Sequence, residues 1–181
     1  AVILTCATDA KEGRDVATSD IPNAFVHTKL EGEKKVIMKI RGMLADLLVR
    51  AAPEIYRPYI EIENGHMVLY VELLNALYGM IMSALLFYKK LVKDLKKKGF
   101  IVNPYDPCVA NKMVNGKQLT IVWHVDDLKI SHMELEVVTE FLNWLKTTYA
   151  NDGVGKVKSS RGKIHEYLGM TLNYSKQGLV E

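Results

Sequence analysis

The stretch from residue 107 to residue 131 leaves this chain few options. Two runs rich in β-branched and apolar residues, 107–114 and 117–124, flank the dipeptide Asn115-Gly116. Asn-Gly supplies positive φ at both centres of a type I′ turn, whose twist matches that of the strands it joins. A third run, 128–131, follows directly on Val125-Asp126-Asp127. Three consecutive antiparallel strands are therefore predicted, and their apolar face must be covered by other elements. The covering elements show helical spacing. From Ser83 to Gly99, Leu85, Leu86, Leu91, Val92 and Leu95 recur every three to four residues. Lys89, Lys90, Lys93, Lys96, Lys97 and Lys98 occupy the other side, and Gly99 terminates the pattern. Residues 134–149 repeat the pattern through Leu135, Val138, Leu142 and Leu145.

Elsewhere, residues 14–20 alternate as a strand that Pro22 ends, leaving Asp20 at its carboxyl end. Residues 36–40 and 67–73, the latter behind an Asn64-Gly65 turn, read as strands. Residues 44–50 read as a helix stopped before Pro53, residues 151–161 as a polar loop and residues 164–174 as a closing strand. The predicted class is α+β, an antiparallel sheet with helices packed on one face. At ~150 residues per domain, 181 residues make a single domain, 1–181. No apolar run approaches the ~18 residues of a spanning helix, so no membrane partner is expected. Cys6 and Cys108 stand far apart without a CxxC spacing, which excludes a disulfide scaffold and fits a reducing, cytoplasmic setting. The net charge of +3 is too small to argue for nucleic acid by itself.

The chemical anomaly is Asp126-Asp127, set in a tight turn where Asn-Gly or Asp-Gly is usual. Like charges this close raise one another's pKa unless a cation sits between them, and hard oxygen donors suit Mg²⁺ or Mn²⁺. Alone, such a doublet is also what a solvated acidic turn looks like. Asp20 supplies a third carboxylate at a strand end, and if the strands are neighbours the three converge as a two-metal phosphoryl-transfer site requires. A zinc site from His124, Asp126 and His132 lacks the usual ligand spacing. Gly153-Val154-Gly155-Lys156 lacks that of a phosphate loop.

Five segments, in order, resemble the reverse transcriptases of copia-type LTR retrotransposons. SDIPNAFVHTKLEG (19–32) is similar to the family's DVxxAFLxGxL, LYGMIMSALLFY (77–88) to LYGLKQAPRxWY, and GFIVNPYDPCVA (99–110) to GFxxSxxDPCVY. WHVDDLKIS (123–131) is similar to the YVDD hairpin and GKIHEYLGM (162–170) to GxxxxFLGM. The resemblance implies a polymerase palm with a ferredoxin-like sheet and partial fingers, and an RNA-directed DNA polymerase activity from a retrotransposon polyprotein. Its catalytic and metal-binding residues would be Asp20, Asp126 and Asp127, holding Mg²⁺ or Mn²⁺. Asn23, Ala24 and Phe25 would meet the nucleotide, Phe25 as the bulky gate against a ribose 2′-hydroxyl, with its ring facing an open cleft. His124, Tyr167, Leu168 and Gly169 would contact primer or template, the last three from a strand.

The implied partners are an RNA or DNA template, a primer, a dNTP and the rest of the polyprotein, in the cytoplasm or virus-like particles. The fingers strands are expected before Ala1, and the thumb and RNase H after Glu181. Ile81 and Met82 replace the family's Lys-Gln, Leu85 replaces its Arg, and His124 replaces the tyrosine of YVDD. These departures keep open a second reading, an inactive remnant serving as a nucleic-acid-binding or structural module. A third, a metal-dependent nuclease, would have no use for the gate at Phe25.

Overall fold

In a computed structural model, which describes residues 1–30, 35–150 and 155–181, the chain starts with helix α1 (Val2–Glu12) and strand β1 (Asp15–Asp20). After a 3₁₀ turn (Ala24–His27) come β2 (Val36–Arg41), α2 (Met43–Ala51), α3 (Pro53–Tyr56), β3 (Ile60–Glu63) and β4 (His66–Leu73). Then follow α4 (Ser83–Lys97), β5 (Ile101–Val102), β6 (Val109–Val114), β7 (Lys117–His124) and β8 (Asp127–His132). The chain ends with α5 (Leu135–Thr148), β9 (Lys158–Arg161), β10 (Ile164–Tyr167) and β11 (Met170–Asn173).

The principal sheet is antiparallel, in the order β5-β6-β7-β8-β1-β9. At its centre is the expected meander, with Asn115 at φ 52° and Gly116 at φ 73° closing β6 onto β7 as a type I′ turn does. Alternation along the strands assigns the two faces. Ala17, Ile121, Trp123, Leu128 and Ile130 point into a core shared with Phe87, Leu91 and Leu95 of α4 and Val138, Phe141, Leu142 and Leu145 of α5. Their neighbours point the other way: Val16 packs with Cys6 and Ala10 of α1 and with Tyr167, Leu172 and Tyr174. Helices therefore cover both faces, not one. The second face is also where α1 makes an ion pair between Asp9 and the fully buried Lys129 of β8. A second, three-stranded sheet, β2-β4-β3, has its own small core of Ile40, Ala45, Val49 and Leu69 beneath α2.

Three further expectations change. The closing strand 164–174 is a hairpin, β10 and β11, because Leu168 (φ 51°) and Gly169 (φ 74°) form its turn. Part of the polar loop 151–161 is the edge strand β9, held by its backbone ladder to β1 while all four of its side chains stay exposed. The helix α1 forms over residues 2–12, where no element is predicted. Residues 31–34 and 151–154, including Gly153, lie outside the described residues.

Candidate active site

The geometry starts from register. β1 and β8 pair so that Asp20 lies opposite Asp127, and β7 and β8 pair so that His124 lies opposite Asp127. Only Val125 and Asp126 link β7 to β8, so Asp126 is carried to the same sheet end as the other two. The Ile21 N–H, one residue past Asp20, donates to the Asp126 carbonyl at 3.1 Å and ties this turn to β1. Val125 adopts φ 55°, a conformation that a β-branched side chain avoids at a cost of about 1–3 kcal/mol. Such strain persists only where the surroundings over-determine it, here the two ladders and the Ile21 contact.

All three carboxylates are half-buried. Burial pushes the Asp20 carboxyl above the ordinary range; Asp126 adds to the rise and Lys158, its partner on β9, opposes it. Burial likewise raises Asp127, with Asp126 and Asp20 adding to the rise and His124 opposing it. The cluster thus repels itself, and a cation would relieve it. Among the described residues no group of three or more His, Cys, Asp or Glu side chains stands ready to enclose a metal ion. The donor set nevertheless fits Mg²⁺ or Mn²⁺: these are hard oxygen atoms, and such ions hold through one or two carboxylates with substrate phosphates and water completing the shell.

The neighbours divide into two sides. On one, Tyr78 donates a hydrogen bond from its hydroxyl to Asp126 Oδ2 at 2.8 Å, while its ring lies 4.3 Å from that of Phe25, centroid to centroid. Burial, reinforced by Asp126, pushes the Tyr78 phenol up to about 12, so at neutral pH it is a donor. Phe25 is only 7% exposed and contacts Phe87 as well, so it does not face an open cleft: it is a core residue covered by Tyr78. Asn23, at φ 50°, turns the chain into the 3₁₀ segment, and Ala24 is fully buried. On the other side a cleft of about 210 Å³ is lined by Asp20, Asp127, Lys158, Ser159, Glu166 and Tyr167, among others.

Tyr167 is buried, and its hydroxyl donates to the Val122 carbonyl at 3.3 Å, behind the sheet. Leu168 and Gly169 are turn residues rather than strand residues, and His124 is exposed at the end of β7. Sequence reasoning missed Tyr78, Lys158 and Glu166. Tyr78 lies inside one of the motif blocks without an assigned role. Lys158 and Glu166 gain their places from β9 and from the β10–β11 hairpin, and nothing in their local pattern marks them. In comparisons with known proteins, no protein-family profile and no curated sequence matches the chain.

Proposed function

We propose that the chain is the palm, with part of the fingers, of an RNA-directed DNA polymerase of the copia retrotransposon type. The observation that supports it best is the strand register that sets Asp20 opposite Asp127 with Asp126 in the adjoining turn. This joins residues over a hundred positions apart at one sheet end, in the order the resemblance implies. A bound divalent ion would activate a primer 3′-hydroxyl and neutralise charge developing on the phosphoryl group. The chain's own residues do the rest. Asp20, Asp126 and Asp127 would hold the ions, and the clamped Val125-Asp126 turn fixes Asp126 and Asp127 relative to Asp20. Phe25 lies on the sugar side of the site, where its ring, covered by Tyr78 in this structure, would meet a ribose once Tyr78 moves aside. Lys158, beside Asp20, supplies a cation to the phosphate side. Lys89, Lys93, Lys96 and Lys97 lie exposed on one face of α4 and form no ion pair with any described residue, so they attract a nucleic-acid backbone.

The inactive-remnant reading draws on one observation: Ile81, where the family carries a polar side chain, is fully exposed and offers a nucleotide nothing but an alkyl group. The readings part on nucleotide binding. With Mn²⁺ present, equilibrium dialysis of the 181-residue chain should show binding of dGTP, weaker binding of GTP, and loss of both in Asp126→Asn. Equal binding of dGTP and GTP would remove the sugar gate and with it the polymerase reading. Absence of binding would favour the remnant. Because this mode of catalysis needs positioning as well as charge, the chain alone should extend a primer poorly.

A further inference from the structure

The proposed palm site is occupied by one of the chain's own side chains. Tyr78 makes two contacts there at once, a hydrogen bond to Asp126 Oδ2 and ring packing on Phe25. The first takes one of the oxygen atoms a cation would use. The second covers the aromatic surface that a nucleotide sugar would meet. We propose that Tyr78 is a latch over the metal and nucleotide positions, and that ligands enter only when its side chain swings away from Asp126 and Phe25. The proposal rests on the polymerase reading of the site and adds to it a residue that sets access and affinity.

The surroundings suit a moving part. Tyr78 is 56% exposed despite its two contacts, so its ring has solvent to turn into. The segment on either side is anchored. The Ala76 N–H donates to the Thr28 carbonyl at 2.9 Å and Asn75 Nδ2 to the Val26 carbonyl, while the Ser83 hydroxyl donates to the Leu77 carbonyl at 2.6 Å. Gly79, the next residue, has φ 91°, and a Cβ built there would meet open space. Its glycine is therefore required by backbone conformation rather than by packing. A side-chain rotation at Tyr78 can release Asp126 without disturbing the anchors.

Energetics put the effect within reach of measurement. A metal ion must displace a hydrogen bond to a carboxylate, whose net worth is about 1.5–3 kcal/mol, or roughly 13- to 160-fold in affinity. Tyr78→Phe deletes the hydroxyl but keeps the ring on Phe25, and the site is exposed enough for the variant to fold. Mn²⁺ titrations followed by electron paramagnetic resonance should show tighter binding in Tyr78→Phe than in the wild type by about that factor. Mn²⁺ should also change the tyrosine ultraviolet difference spectrum of the wild type more than that of Tyr78→Phe. Equal affinities for the two proteins, with binding still weakened in Asp126→Asn, would overturn the latch and leave the metal site standing. Weaker binding in Tyr78→Phe would also overturn it, because the hydroxyl would then be orienting Asp126 for the metal. If Asp126→Asn binds Mn²⁺ as the wild type does, the site itself fails.

Discussion

Replacing Asp9 with alanine should destabilise the protein far more than its position on the first helix suggests. Asp9 is 1% exposed and pairs with Lys129, whose side chain is fully buried, and it lies 3.9 Å from Arg14 Nη1. Without Asp9, the Lys129 ammonium is left buried with no counter-ion, a change that costs about 3–5 kcal/mol. For a chain of this size each kcal/mol lowers the melting temperature by about 2–4 °C, so the drop should be roughly 6–20 °C. Lys129→Met should cost less, because Asp9 keeps Arg14 as a partner and the methionine fills the volume. The double variant Asp9→Ala/Lys129→Met should be more stable than Asp9→Ala alone, since the unpaired ammonium is gone. Urea denaturation followed by circular dichroism gives all three values. The reasoning fails if Asp9→Ala costs less than about 1 kcal/mol, or if the two single changes simply add. The site would feel the loss: Lys129 is two residues from Asp127 on β8, so α1 holds from behind the strand that carries one of the carboxylates.

The carboxylate cluster makes a prediction of opposite sign. Asp20 and Asp127 bind protons in the folded chain above the ordinary carboxyl value of 3.8, so between that value and their raised ones the native state holds more protons than the unfolded state. Their contribution to stability therefore falls as pH rises through that window. Urea melts from pH 4 to 7 should show this slope flattened in Asp20→Asn and in Asp127→Asn, with Mn²⁺ raising stability at pH 7 in the wild type. On α4, replacing Lys89, Lys93, Lys96 and Lys97 together by alanine should weaken binding of a primer–template duplex and make its salt dependence shallower by up to about 3–4 in log–log slope. Fluorescence anisotropy at several salt concentrations reads both, and an unchanged slope would mean that this face does not touch the backbone.

What the sequence revealed, and what it hid, follow from where each signal resides. Asn115-Gly116 prescribes its own turn, and α4 and α5 carry large apolar residues at helical spacing, so the meander and its cover on one face are legible locally. The meeting of Asp20 with Asp127 needs more than two strand ends: it depends on β1 pairing with β8, an adjacency no local pattern shows. The opposite face is not legible in this way. In α1 the buried residues are Cys6, Asp9 and Ala10, two small and one charged, so no apolar stripe announces a helix that docks through an ion pair. β9 reads Lys-Ser-Ser-Arg and is a strand only because β1 offers it a ladder. Leu168 occupies a positive-φ turn position that its side chain disfavours, which conceals the hairpin that brings Glu166 and Tyr167 beside the cleft. Phe25 shows the opposite difficulty. A motif match assigns it to a ligand, whereas the packing of Tyr78 and Phe87 makes it first a core residue.

The most direct measurement is a Mn²⁺ titration of the 181-residue chain, wild type beside Asp126→Asn, by electron paramagnetic resonance with and without a dNTP. The wild type should bind Mn²⁺ weakly alone and more tightly with the nucleotide, because phosphate oxygens complete a shell the carboxylates only begin. Asp126→Asn should lose affinity in both conditions. Superimposable titrations of the two proteins would contradict the assignment of Asp20, Asp126 and Asp127 as a metal-binding site, and with it the proposed chemistry.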